Sequence, residues 1–149
     1  CGFLPALSLA ADKVNIAVYY ESLCPDSQRY INNQLAPAYN SPLAVSMNLT
    51  LIPYGNANTS SDGVITCQHG PTECYGNRVQ ACAISKLTTE DQQMKFIDCL
   101  MKMAYDKKPA SDDDYKKYIT QCAQNHSLTD QVTAIENCAN STESDSLMA

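Results

Sequence analysis

The stretch "VNIAVYYESLCPDSQRY", residues 14–30, changes its hydrophobic period partway along. Val14, Ile16, Val18 and Tyr20 alternate with their neighbours as one face of a half-buried strand does. Pro25 then suits the first position of a helix, where its missing N–H would have no partner in any case. Ile31, Leu35 and Ala38 continue the helix on one stripe, with Ser27 and Gln34 alongside, and Pro37 and Pro42 are read as closing it. In the next run, "LAVSMNLTLIPYG" (43–55), Val45, Met47, Leu49 and Leu51 share one face, and Ser46, Asn48 and Thr50 the other. A strand, a helix of this length and a second strand read as a parallel βαβ crossover.

Residues 55–74 are rich in Gly, Asn, Ser, Thr and Pro and read as a long loop stapled by cysteines. From there the period is helical. Val79, Cys82 and Ala83 mark one helix. Thr89 with Gln92 caps a second, carrying Phe96, Cys99, Leu100 and Met103. Ser111 with Asp114 opens a third, carrying Tyr115, Tyr118, Ile119 and Cys122, and Asp112, Asp113 and Asp114 suit the positive end of its dipole. Thr129 caps a fourth, with Val132, Ile135 and Cys138. Cys82, Cys99, Cys122 and Cys138 thus lie on the apolar faces of four helices, an arrangement that suits disulfides between packed helices. The end, "NSTESDSLMA" (140–149), reads as a polar tail.

A chain of 149 residues with 44% hydrophobic and 17% charged content fits one folded domain. The net charge of −6 offers no surface for nucleic acid or anionic membranes. Eight cysteines are many for this length outside an oxidising compartment. Asn48, Asn58, Asn125 and Asn140 each open an Asn-x-Ser/Thr acceptor for N-glycosylation. Together these features indicate a secretory route. "CGFLPALSLAADK" (1–13) resembles the end of a signal peptide and is too short to span a bilayer. If Cys1 leaves with it, seven cysteines remain. Cys67, Cys74, Cys82, Cys99, Cys122 and Cys138 can pair, in an order the sequence does not choose, leaving Cys24 as the odd thiol.

Cys24 is the candidate nucleophile. A thiolate at the mouth of a helix meets the positive end of the dipole and free backbone N–H groups. The alternatives are a buried, inert cysteine or a partner for another cysteine such as Cys1. Reducing a disulfide takes attack to give a mixed disulfide and then resolution by a second thiol. The resolving position three residues on holds Ser27, whose hydroxyl can hydrogen-bond a thiolate but forms no disulfide. The string "CQHGPTECYGNRVQAC" (67–82) lacks the tight paired spacing of structural zinc sites, so neither metal nor cofactor is expected. His69 is read as ordering the stapled loop, and His126 as part of a polar turn between helices.

That same string resembles the signature of the gamma-interferon-inducible lysosomal thiol reductase family at Cys67, Gln68, His69, Gly70, Glu73, Cys74, Asn77 and Cys82. "VYYESLCP" (18–25) and "NLTLIPYGNA" (48–57) extend the resemblance, which covers roughly residues 14 to 140. It implies an α/β, thioredoxin-like core with a helical insertion, glycosylated and either secreted or lysosomal, whose Cys-x-x-Cys pair reduces protein disulfides at acidic pH. By position the nucleophile is Cys24 and the resolving residue Ser27. Family members continue into further strands and a cis-proline loop, so the chain is read either as a fragment or as a naturally shortened member, its core truncated and an uncovered sheet edge open to dimerisation or a partner.

The expected organisation is a single domain over 1–149. It comprises a leader remnant (1–11), a βαβ part (14–55), the stapled loop with the signature (56–82), a helical region (83–140) and a tail (141–149). Two functions compete: a secreted, redox-impaired protein that binds a protein or cell surface, which the lost dithiol favours, and a monothiol oxidoreductase in which an external thiol resolves the mixed disulfide.

Overall fold

The structure, a computed structural model, describes residues 12–148. Cys1 and most of the leader-like segment lie outside them. Strand β1 (Val14–Tyr20) pairs in parallel with β2 (Met47–Pro53), in a register running from Val14 opposite Met47 to Tyr20 opposite Pro53. The alternation in β1 is as read: Val18 and Tyr20 are buried and Ile16 half-buried, packing with Ile31, Leu35, Ala36 and Met47. The second strand is shorter at its start than the sequence suggested. Ser41 accepts a hydrogen bond from the Leu43 N–H at 3.2 Å and opens a 3₁₀ turn, Pro42–Ser46, so Val45 leaves the strand face and is 76% exposed.

Between the strands, helix α1 (Pro25–Tyr30) runs through a π-helical stretch, Ile31–Leu35, into α2 (Ala36–Tyr39). Pro37 therefore does not close the helix. It has no N–H to donate and its ring crowds the carbonyl one turn back, and the wider π turn just before it accommodates both defects.

The stapled loop is more ordered than its composition implied. It contains a short antiparallel hairpin, β3 (Asn58–Thr59) with β4 (Ile65–Thr66), and its last residues already belong to α3 (Pro71–Lys86). The remaining helices are α4 (Glu90–Lys107), α5 (Asp112–Asn125), α6 (Val132–Ala139) and α7 (Thr142–Met148). Thr89 and Ser111 cap α4 and α5 through the N–H groups of Gln92 and Asp114. Thr129 caps nothing, because it starts a 3₁₀ turn, Thr129–Gln131, that leads into α6. The stretch read as a polar tail is mostly α7, in which Met148 is buried and which is tied to α3 by Arg78–Asp145 at 2.9 Å and by Lys86–Glu143 at 2.6 Å.

Helix α4 is the wall shared by two cores. Phe96, Leu100 and Ala104 face the helices, where Val79, Tyr115, Ile119 and Ile135 are buried. Met94, Ile97 and Met101 face the sheet. The four-residue stripe legible in the sequence described only the first face. Two disulfides fasten the helical side: Cys82–Cys138 joins α3 to α6 and Cys99–Cys122 joins α4 to α5. These bridges close segments separated by 56 and 23 residues. In the chain-entropy view they stabilise the fold by roughly 4 and 3 kcal/mol. Replacing Cys82 and Cys138 together by alanine is expected to lower the unfolding free energy more than replacing Cys99 and Cys122, as urea titration would measure.

A half-buried carboxyl gives the fold a pH dependence. Asn32 Nδ2 donates to Asp98 Oδ1 at 2.7 Å and to the Asp98 carbonyl at 2.9 Å, tying the π-helical stretch to α4. Burial raises the Asp98 pKa above its ordinary value of 3.8, partly offset by the Asn32 hydrogen bond and by the charges of His126 and Lys102. The folded state thus holds this proton more tightly than the unfolded chain. Its contribution is full below the ordinary value and is lost as pH rises through the raised one. Asp98→Asn, which keeps the acceptor for Asn32, is expected to flatten the decline in stability above pH ~4 in denaturant midpoints taken across pH.

Candidate functional site

Cys24 sits at the N-cap of α1 with extended backbone, and its carbonyl accepts the Gln28 N–H at 3.0 Å. It is half-buried and is the one cysteine outside a disulfide among the described residues. Cys67 and Cys74 pair with each other across the start of α3.

The loop that carries Cys24 is held from below by the signature residues. The Ser22 N–H donates to Asn77 Oδ1 at 2.8 Å, the Ser22 hydroxyl donates to the Glu73 carbonyl at 3.0 Å, and Gln28 Nε2 donates to the Ser22 carbonyl at 2.8 Å. All four side chains are buried. Gly76 lies beneath Ser22, where a Cβ would come within 2.5 Å of the Ser22 hydroxyl, so the glycine sets how closely loop and helix approach. Three residues after Cys24, Ser27 Oγ accepts the Glu21 N–H at 3.3 Å. The hydroxyl at the resolving position is therefore committed to the loop backbone.

Around the thiol stand groups that sequence spacing did not bring together. Glu21, 2% exposed, accepts the Asn56 N–H on Oε1 at 2.7 Å. Asn56 in turn donates from its side chain to Gln68 Oε1 at 3.0 Å. Gly55 lets the chain pass: its φ is +54°, and a Cβ there would overlap Glu21 Cγ. Burial raises the Glu21 pKa, the Asn56 N–H lowers it, the Glu73 charge raises it and His69 lowers it. His69 is fixed by Glu73, whose carboxylate accepts the backbone N–H at 2.9 Å and meets Nδ1 at 2.6 Å. The ring also faces Glu21 Oε2 at 3.7 Å. One ligand atom from each of Glu21, Cys24 and His69 lies within 4.8 Å of the other two. His69 does order the stapled loop as read, and it also stands beside the thiol. His126 merely ends α5.

This cluster sets an imidazole and a buried carboxyl beside a thiol, groups that disulfide exchange by a cysteine can use. Beside it, Leu23, Pro25, Gln28, Arg29, Tyr105 and Lys108 line a cavity of about 610 Å³.

Comparison with known proteins decides the lineage. The family described as gamma interferon inducible lysosomal thiol reductase (GILT) matches residues 15–126. The chain belongs to this family. It is 40% identical to GILT-like protein 1 of Drosophila melanogaster over 97% of the chain and 60% of that protein. It is 39% identical to a gamma-interferon-inducible lysosomal thiol reductase-like protein of Anopheles gambiae, over 91% of the chain and 58% of that protein. Against the gamma-interferon-inducible lysosomal thiol reductase of Mus musculus the figures are 33%, 91% and 51%. The chain thus spans between half and three-fifths of the length of these relatives. The β1–α1–β2 frame with its cysteine-bearing helix is the α/β, thioredoxin-like part of the GILT fold, and α3 to α7 form the stapled helical part.

The four Asn acceptors, Asn48, Asn58, Asn125 and Asn140, are exposed. No helix among the described residues is long and apolar enough to cross a membrane.

Asn77 tests the support beneath the thiol. Removing its amide strands the buried Ser22 N–H, a loss of about 1–3 kcal/mol. Asn77→Ala is expected to lower the denaturant midpoint accordingly and to change the alkylation rate of Cys24.

Proposed function

We propose that this GILT protein carries out disulfide exchange with Cys24 as its single working thiol, and that a small external thiol takes the part of the missing resolving cysteine. The reading rests on one observation: the free Cys24 thiol is half-exposed at the mouth of α1 with His69 and Glu21 gathered around it. A residue kept only for packing would not collect an imidazole and a buried carboxyl.

In the first step the Cys24 thiolate attacks one sulfur of a substrate disulfide. A Cys24–substrate disulfide forms and the other substrate sulfur leaves as a thiolate, taking up a proton. A first external thiolate then attacks the Cys24 sulfur, freeing the second substrate thiol and leaving the external thiol joined to Cys24. A second external thiol releases Cys24 by forming its own disulfide. One substrate disulfide is reduced and two external thiols are oxidised, so the electrons balance. The cavity lined by Leu23 and Pro25, the two neighbours of Cys24 in the chain, and by Arg29 and Lys108 gives a polypeptide room to lie next to this loop.

The exposed acceptor asparagines and the three disulfides support a glycosylated protein made in the secretory route, acting outside the cell or in the lysosome. The competing reading, a secreted protein that only binds a protein or cell-surface partner, rests on Ser27.

Reduction of a denatured disulfide protein at acidic pH with glutathione separates the two. The unaltered chain is expected to turn over slowly and in proportion to glutathione, and Cys24→Ser to be inactive. Ser27→Cys is expected to be faster by about tenfold or more and less dependent on glutathione, because resolution becomes intramolecular. An inactive unaltered chain beside an active Ser27→Cys variant would leave the binding reading in its place. Inactivity of all three would remove exchange chemistry from this chain.

A further inference from the structure

The same cluster has the make-up of a metal site. Its donors come from three separate segments: a carboxylate at the end of β1, a thiol at the start of α1 and an imidazole just before α3. Glu21 is buried with Oε1 taken by the Asn56 N–H, so Oε2, on the side of His69, is the oxygen left for a ligand. His69 has its Nδ1 engaged by the fully buried Glu73 carboxylate, which leaves Nε2 as the nitrogen with a free lone pair. A carboxylate behind a ligating histidine is the usual outer support of a metal centre, fixing tautomer and ring orientation.

Charge points the same way. Glu21 and Glu73 bring two buried carboxylates together with a single imidazole beside them, and a Cys24 thiolate would add a third negative charge. Buried charge of one sign is costly unless it is paired. Among the described residues, no lysine or arginine forms an ion pair with either carboxylate. A divalent cation between Glu21, Cys24 and His69 would offset that excess.

We infer that Glu21, Cys24 and His69 form a zinc site with one position open, and that zinc bound there blocks Cys24 from disulfide exchange. The mixed sulfur, nitrogen and oxygen donors suit Zn²⁺, whereas Mg²⁺ and Ca²⁺ take oxygen. Ligands on a tetrahedral zinc stand roughly 3.5 Å apart. The donor atoms here lie within 4.8 Å of one another, so binding would draw them together by about an ångström, with the half-exposed Cys24 side chain moving and His69 kept on Glu73. A metal-bound sulfur has its lone pair in use, so the ion would act as a reversible cap on the nucleophile. This inference adds regulation to the exchange reaction proposed above and uses the same cysteine, but zinc binding itself does not depend on turnover.

The test uses the chelator-treated chain with Cys24 as the free thiol and its three disulfides intact. Zn²⁺ is titrated against a chromophoric chelator and Co²⁺ is followed by absorption. One Zn²⁺ per chain and a sulfur-to-cobalt charge-transfer band are expected. The band should vanish in Cys24→Ser, and His69→Gln and Glu21→Gln should each weaken zinc binding by about tenfold or more. Glu21→Gln keeps the acceptor for Asn56, so loss of fold does not confuse that result. Zinc should also slow alkylation of Cys24. The inference is overturned if the unaltered chain binds zinc no more tightly than Cys24→Ser, if the two other variants bind it as well as the unaltered chain, or if alkylation is indifferent to zinc. A chain that passes these tests yet reduces no disulfide would keep the zinc site and lose the exchange reading. An active chain indifferent to zinc would do the reverse.

Discussion

Everything at the thiol depends on how the loop Glu21–Leu23 is seated on α3. Two hydrogen bonds do this, from the Ser22 N–H to Asn77 and from the Ser22 hydroxyl to the Glu73 carbonyl. They are buried, and a buried donor left without its partner costs more than an ordinary hydrogen bond contributes. They therefore constrain the loop more firmly than their number suggests. The seat fixes where β1 ends and where α1 begins, and so where Cys24 points. It also brings Glu73 under the loop, and with it His69. The signature is thus largely a support: Cys67 and Cys74 staple the loop to the helix, Asn77 and Glu73 hold Ser22, Gln68 holds Asn56, and Asn56 holds Glu21. Of the signature side chains, His69 alone is gathered with Cys24 into one group of donors.

The parallel strand pair and the helix between them were legible because period two and period 3.6 are written directly into Val14–Tyr20 and the stripe from Ile31. What periodicity could not convey was compensation. Pro37 reads as a stop, yet a π turn absorbs it; Val45 reads as strand, yet the Ser41–Leu43 turn takes it out of register. Helix α7 is polar in composition and gains its place through two ion pairs to α3, which only the folded partner supplies. The double role of α4 was hidden for a related reason. A helix buried on two faces has a broad apolar surface, and a single stripe describes half of it.

The site divides in the same way. Cys24 and Ser27 were readable because the chemistry of a thiol at a helix mouth is local. Glu21, Asn56 and His69 stand 35 and then 13 residues apart and meet only after the crossover and the stapled loop have folded. Their signal in the sequence was indirect: Glu21 and Asn56 fall within the segments "VYYESLCP" and "NLTLIPYGNA" that carried the family resemblance, although neither suggested a role. Ser27 takes its meaning from the same geometry. Its hydroxyl accepts the Glu21 N–H, so the serine helps hold the loop even where it cannot resolve a disulfide.

The most direct measurement is mass spectrometry of the chain after brief exposure to a disulfide-linked peptide without any other thiol. An adduct of one peptide half on Cys24, discharged when glutathione is added, is the expected result. No adduct, or one that forms only on Cys67 or Cys74, would contradict Cys24 as the thiol for which this loop is built.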